Sequence, residues 1–336
     1  MTEKTPAIEV EHLTKYYGDF LAVDDISFDV QPGEIFGFLG PNGAGKSTTQ
    51  RMLSTLLEPT QGTIRIYGHD LAQSALEAKR LIGLVPEESN VYRELSCQQN
   101  LSFAARLYRV PASERSSRIA RMLDIFELTD KRDVKADQLS KGLRRRLSLA
   151  MALIHQPRLL FLDEPTSGLD AWSTRIIHAR IQALSESRTT IFLTTHQIEH
   201  ANLLCDRVAI INHGRIAAID TPANLKAAFR RRQKIQVSVA PDTSTDRHQL
   251  ASLPDVAEVK RQDGEWLLFT ETPSSVIHHL VHLLEANDAH ISDLHILEPR
   301  LEEVFLEITR EESSSTLDDQ QSSQVDHAGP GARGEK

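Results

Sequence analysis

Residues 40–47 read Gly-Pro-Asn-Gly-Ala-Gly-Lys-Ser, a full match to G-x-x-x-x-G-K-[S/T]. The apolar run from Ile35 to Leu39 ends at Gly40, and a helical stretch begins at Lys46. Strand, glycine-rich loop and helix in that order aim the loop N–H groups and the helix N-terminus at one point, which suits phosphate oxygens. The glycines let the backbone wrap closely, so Gly40, Pro41, Asn42, Gly43, Ala44, Gly45, Lys46, Ser47 and Thr48 are candidate nucleotide contacts. Lys46 would reach the β- and γ-phosphates, and the Ser47 hydroxyl would bind Mg²⁺.

The rest of the chain is expected to build an α/β domain around this loop. Short strands are predicted at Thr63 to Ile66, Ile82 to Val85, Leu159 to Leu162, Thr190 to Thr194 and Val208 to Ile211. Helical patterns separate most of them, and that alternation indicates a parallel sheet. Ahead of the loop, apolar and polar residues alternate through Ile8, Val10 and Leu13 and again from Val23 to Val30, which predicts antiparallel strands covered on one face. Between Glu94 and Leu128, Leu101, Ala105 and Tyr108, then Ile119, Leu123 and Phe126, recur at helical spacing, so a helical insertion is expected over about 88–140.

A second domain follows. After about Leu225 comes the basic run Arg230 to Arg232, then a β-α-β-β-α-β order with strands at Ile235 to Val239, Val256, Leu268 and Ile291. That order suits a small ferredoxin-like α+β layer over 226–310, closed by an amphipathic helix from Arg300 to Thr309.

Leu159-Leu160-Phe161-Leu162-Asp163-Glu164 is an apolar strand that delivers two carboxylates at its C-terminal end, where open α/β sheets bind ligands. Asp163 would hold Mg²⁺ through water. Glu164 would act as general base or water-positioning group for attack on a γ-phosphate.

Further segments carry a family resemblance. Leu139-Ser140-Lys141-Gly142-Leu143 is similar to the signature of the ATP-binding-cassette (ABC) ATPases, Ser167-Gly168-Leu169-Asp170 to their D-loop, and Thr194-Thr195-His196 to their switch histidine. Tyr17 lies where the family stacks an aromatic ring on adenine. The resemblance covers residues 7 to about 220 and implies an ABC-type P-loop fold over 1–225. It also implies a head-to-tail homodimer holding two ATP molecules, with Ser140 and Gly142 of one copy completing the phosphate site of the other. His196 would contact the γ-phosphate and Asp170 would link the two sites.

Two departures stand out. Val85-Pro86-Glu87 has a carboxylate where many members have glutamine; Glu87 can still bind Mg²⁺, but its charge faces the γ-phosphate. Lys141 and Leu143 replace a more usual glycine and glutamine. The segment from Glu298 to Thr309 resembles the ending of drug-export and ABC-2-type ATPase subunits.

Composition narrows the function classes. The 336 residues hold 38 Lys and Arg against 47 Asp and Glu, a net charge of −9, which argues against a non-specific nucleic-acid binder. No window approaches the ~18 consecutive apolar residues of a membrane span; with the resemblance to exporter ATPase subunits, this implies a permease on a separate chain and a place for this one at the cytoplasmic face of the membrane. Glu3 and Lys4 have no apolar run after them, so no secretory signal is expected. Cys97 and Cys205 form no metal or disulfide spacing, which fits a reducing setting. From Glu311 onward the chain is polar and acidic and is expected to be disordered.

Three clusters have plainer readings. His196-Gln197-Ile198-Glu199-His200 fits a zinc-peptidase pattern but has no downstream acidic ligand. Arg144, Arg145 and Arg146 read as a solvated helix face, and His278, His279 and His282 as surface decoration of a helix. The expected function is the ATPase subunit of an ABC-2-type exporter; the alternative is a soluble ABC ATPase acting on nucleic acid or the ribosome.

Overall fold

The structure, a computed structural model, describes residues 5–228, 233–239, 246–262, 264–287, 289–297 and 301–307. The chain divides into two units, one ending at Thr221 and the other beginning at Pro222. The acidic tail, the Arg230 to Arg232 run and the ends of the last expected helix lie outside the described residues.

In the first unit, β1 (Ile8–Tyr17) and β2 (Phe20–Val30) form an antiparallel hairpin whose turn is Gly18 and Asp19. Strand β3 (Ile35–Leu39) then leads through the glycine-rich loop into helix α1 (Lys46–Leu53). The next strand, β4 (Gln61–Ile66), pairs antiparallel with β1, and the two-residue β5 (His69–Asp70) pairs with β4. The expected strand at Thr63 to Ile66 therefore belongs to an antiparallel sheet of order β2-β1-β4-β5, not to the parallel one. Its composition shows why: Ile64 and Ile66 are buried while Arg65 on the opposite face bonds Glu9 and Glu11 at 3.0 and 3.1 Å. A strand covered on one face suits an antiparallel sheet, whereas a central parallel strand is covered on both.

The parallel strands meet that second condition. After α2 (Leu71–Leu81) come β6 (Ile82–Val85), helices α3 (Cys97–Leu107), α4 (Ala112–Ile125) and α5 (Lys141–Leu153), then β7 (Leu159–Asp163). Helix α6 (Ala171–Glu186), β8 (Thr190–Thr195), α7 (Ile198–Leu204), β9 (Arg207–Asn212) and β10 (Arg215–Asp220) complete the unit. The sheet order is β10-β9-β3-β8-β7-β6, parallel throughout except for β10. All five residues of β3 and all six of β8 are buried.

A phenylalanine cluster joins the two sheets. Phe28 of β2 stacks on Phe36 of β3 at 5.6 Å, and Phe192 of β8 lies 5.9 Å from Phe36 and 5.5 Å from Phe38. Each fully buried ring contributes ~1.5–3 kcal/mol, so the strand feeding the glycine-rich loop is held firmly. Parallel pairing sets Leu39 beside Thr195 and Asp163 beside Thr194, which brings the C-terminal ends of β3, β7 and β8 together.

The helical insertion is anchored by its own caps. Ser96 and Gln99 form a capping box at the start of α3. Fully buried Asn100 accepts from the Tyr92 amide at 2.8 Å and donates to the carbonyls of Tyr92, Leu95 and Ser96, fixing the loop that enters the insertion.

The second unit contains α8 (Pro222–Ala228), β11 (Gln233–Val239), α9 (Arg247–Ala251), β12 (Val256–Gln262), β13 (Glu265–Thr270), α10 (Pro273–Ala286) and β14 (Ile291–Leu297). Its strands form one antiparallel sheet of order β12-β13-β11-β14, the ferredoxin-like arrangement. Ile235, Val237, Leu268, Leu250, Val276, Leu280 and Leu284 build its core. Residues 301–307 are helical, with Leu301 and Val304 buried. Among the described residues no helix is long and apolar enough to cross a membrane.

Candidate active site

The glycine-rich loop needs glycine for two separate reasons at Gly45. Its φ of 104° lies outside the range of L side chains, and a Cβ there would sit 2.7 Å from the Ala22 carbonyl oxygen. Next to it, Lys46 begins α1 with only 6% exposure and donates to the carbonyls of Gly40 at 2.7 Å and Pro41 at 3.0 Å. Burial lowers its pKa, partly offset by the negative charges of Glu164, Asp163 and Glu87.

Those three carboxylates come from two strand ends. Asp163 accepts from the Ser47 hydroxyl at 3.4 Å and, at close range, from the Thr194 hydroxyl. Glu164 is buried, with backbone φ of 43°, a left-handed conformation that costs an L residue ~1–2 kcal/mol. Its side chain accepts from His196 Nδ1 at 2.8 Å and from the Thr195 hydroxyl at 3.4 Å. Glu87 accepts from the Ser167 hydroxyl at 3.3 Å.

A cleft of about 580 Å³ is lined by Tyr17, Phe20, Ala22, Asn42, Gly43, Gly45, Lys46, Ser47, Thr48, Glu87, Glu164, Ser167 and His196. Most candidates from the sequence therefore share one cavity, and Tyr17 stands at its exposed rim. The donors around Ser47 and Asp163 are hydroxyl and carboxylate oxygens, the set a hard cation such as Mg²⁺ takes. Among the described residues no three His, Cys, Asp or Glu side chains converge on a metal position.

Ser140, Gly142 and Asp170 do not line that cleft. Ser140 caps α5 by accepting from the Leu143 amide at 3.2 Å. Asp170 caps α6, accepting from the amide and hydroxyl of Ser173 at 2.8 and 2.9 Å, and those bonds hold its carboxyl below the usual range. A Cβ on Gly142 would lie 2.4 Å from the Ser173 hydroxyl, so the first turns of α5 and α6 are packed together at this glycine.

Several contributors escaped the sequence reading. Thr194 and Thr195 orient the carboxylates, and Phe20 lies beside Tyr17 in the lining. The largest correction concerns the arginine run, expected as a solvated face. Arg145 is 5% exposed, and its guanidinium donates to the carbonyls of Asp163 at 2.7 Å, Pro165 at 2.9 Å, Glu164 at 3.1 Å and Glu87 at 3.2 Å, and at close range to that of Pro86. Burial pulls its pKa down to about 10, still far above neutrality. Arg144 bonds the Leu139 carbonyl at 2.5 Å and Arg146 pairs with Glu127 at 3.0 Å. A run of three cations carries no periodic signal that one of them turns inward.

His200, the second histidine of the zinc-like pattern, bonds the Thr166 hydroxyl at 3.0 Å, and its ring meets buried His178 edge-on at 4.5 Å. Burial and the neighbouring His200 lower the His178 pKa to about 4.

Residues 23–167 match the family described as ABC transporter, and residues 221–309 match the family described as ATP-binding protein DrrA1-3-like, C-terminal domain. The linearmycin resistance ATP-binding protein LnrL of Bacillus subtilis (strain 168) is 35% identical over 308 residues, which cover 90% of this chain and 98% of that protein. The chain belongs to the ABC transporter ATP-binding proteins. This ABC ATPase is also 36% identical over 308 residues to the Nod factor export ATP-binding protein I of Paraburkholderia xenovorans (strain LB400), covering 91% of the chain and 98% of the relative. With the daunorubicin/doxorubicin resistance ATP-binding protein DrrA of Streptomyces peucetius it shares 41% identity over 228 residues, or 68% of the chain and 69% of the relative.

Among solved structures, the ATP-binding subunit of an ABC transporter superposes with a TM-score of 0.61 at 30% identity, covering 66% of this chain and 93% of that one. A dimeric ATP-binding cassette in a post-hydrolysis state with ADP and Pi gives a TM-score of 0.59 at 25% identity, covering 64% and 98%. This ABC ATPase thus binds and hydrolyses ATP, and the relatives it matches are named for resistance and export.

The carboxylate at position 87 has a direct consequence. A glutamine carbonyl would accept the same Ser167 bond, so Glu87→Gln is expected to keep steady-state ATP turnover within about tenfold of the parent. Complete loss of turnover in that assay would show that the charge itself is required.

Proposed function

We propose that two copies of this chain close head to tail over two ATP molecules and that closure and hydrolytic reopening drive a separate membrane permease. The observation that carries this reading is the split of the site. Lys46, Ser47, Glu164 and His196 line one cleft, whereas Ser140, Gly142 and Asp170 lie elsewhere on the same chain, leaving the cleft to be completed by a second copy.

Within the closed site, Lys46 binds the β- and γ-phosphates and the loop N–H groups hold the triphosphate chain. Tyr17 stacks on the adenine. Ser47, Glu87 and Asp163 would hold Mg²⁺, which would supply positive charge to the phosphates. Glu164, oriented by His196 Nδ1 at 2.8 Å, accepts a proton from the attacking water as the water oxygen bonds to the γ-phosphorus. The bond from that phosphorus to the bridging oxygen breaks, leaving ADP and phosphate. Before that bond breaks, His196 contacts the γ-phosphate through its other ring nitrogen. Ser140 and Gly142 of the second copy aim the N-terminus of α5 at the same group.

The permease would meet the helical insertion, where Tyr92 and Phe103 pack edge-on at 4.6 Å yet remain 48% and 40% exposed and Leu107 is 65% exposed. This contact would hold the chain at the cytoplasmic face of the membrane. The 226–310 domain, similar over most of its length to the DrrA-type C-terminal family, would act as an accessory module of the same exporter. The nucleic-acid alternative draws no support from the relatives described above, which are named for resistance and export.

Purification of the tagged full chain from detergent-solubilised membranes tests the partner. Recovery of a polytopic membrane protein in stoichiometric amount is expected; recovery of ribosomes or DNA in its place would contradict the proposal.

A further inference from the structure

We propose that Arg145 is a positioning residue for hydrolysis: it holds the strained turn of Glu164 and the Glu87 loop in one fixed geometry, without touching ATP itself. The bonding pattern is the basis. One guanidinium from the signature helix α5 donates to three consecutive carbonyls of the turn, those of Asp163, Glu164 and Pro165, and to Pro86 and Glu87 of the loop entering the helical insertion.

Each end of this bridge needs support. Glu164 is held at φ 43°, a conformation that persists only where the surroundings over-determine it. The Glu164 amide donates to the Thr194 carbonyl at 3.1 Å, which secures one side of the turn, and Arg145 secures the carbonyl side. Among the described residues the Glu87 loop has one side-chain tie to the segment that follows β7, the Ser167 bond at 3.3 Å, besides the two carbonyls that Arg145 takes. A planar guanidinium with five N–H groups can span these acceptors together, whereas an ammonium with three donors on a flexible stem cannot. The phosphate-loop residues are not among the Arg145 partners, so its role falls on turnover and leaves nucleotide binding to Gly40–Ser47.

This inference rests on Glu164 acting as the base, so Glu164→Gln is assayed in parallel. Full-length Arg145→Lys and Arg145→Gln are titrated with a fluorescent ATP analogue, and ATP turnover is measured per nucleotide-binding site, so that loss of folded protein does not alter the number read. Expected is a turnover per site at least tenfold below the parent in both variants, with ATP affinity within about threefold. Turnover per site unchanged in Arg145→Lys would overturn the proposal alone. Unchanged turnover in Glu164→Gln would overturn the reading of Glu164 and the proposal with it. Loss of nucleotide binding in both arginine variants would also overturn it, by making Arg145 a determinant of the whole fold.

Discussion

Glu164→Gln is expected to retain ATP and to hydrolyse it about 10²-fold more slowly or worse. The amide keeps the size of the carboxylate, and its carbonyl oxygen can still accept from His196 Nδ1, now 2.8 Å from Glu164. It cannot take a proton from water. The phosphate loop, Lys46 and the Ser47–Asp163 pair are untouched, so ATP affinity should stay within a few-fold while kcat falls. Equal losses in kcat and in ATP affinity would instead mark Glu164 as part of the binding surface.

Gly45→Ala is expected to weaken ATP binding by about tenfold or more and to lower the unfolding temperature. Two penalties combine there. A φ of 104° is strained for any L residue, and the new Cβ would meet the Ala22 carbonyl oxygen at 2.7 Å. Because that oxygen belongs to backbone, relief requires moving the loop, and moving the loop disturbs the amides aimed at phosphate. Gly43, also at positive φ but with open space around its missing Cβ, provides the comparison: Gly43→Ala carries strain without collision and should bind ATP better than Gly45→Ala. Nucleotide titration and thermal unfolding of the two variants check this order.

Much of the site was legible because its residues sit in local patterns. The loop from Gly40 to Ser47, the carboxylates ending β7 and the histidine after β8 are each placed by a strand, and parallel pairing then brings those strand ends together. The second unit was legible for a similar reason, since the order of its elements suited a four-stranded layer whose core alternates cleanly along β13. Other features depend on long-range contact. Arg145 reaches carbonyls up to 59 positions away, and nothing in three adjacent arginines distinguishes it from Arg144 or Arg146. The strand at Thr63 to Ile66 was drawn to the wrong sheet because short β-branched runs look alike until their second face is seen covered or open.

The central claim is that ATP closes two copies of this chain over shared sites. Light scattering of purified Glu164→Gln tests it most directly, because bound ATP that is not hydrolysed should hold the closed state. The account predicts one chain's 37.6 kDa without nucleotide and twice that mass with ATP and Mg²⁺, with ADP leaving the single-chain mass. A single-chain mass at saturating ATP, with bound nucleotide confirmed in the same sample, would contradict it.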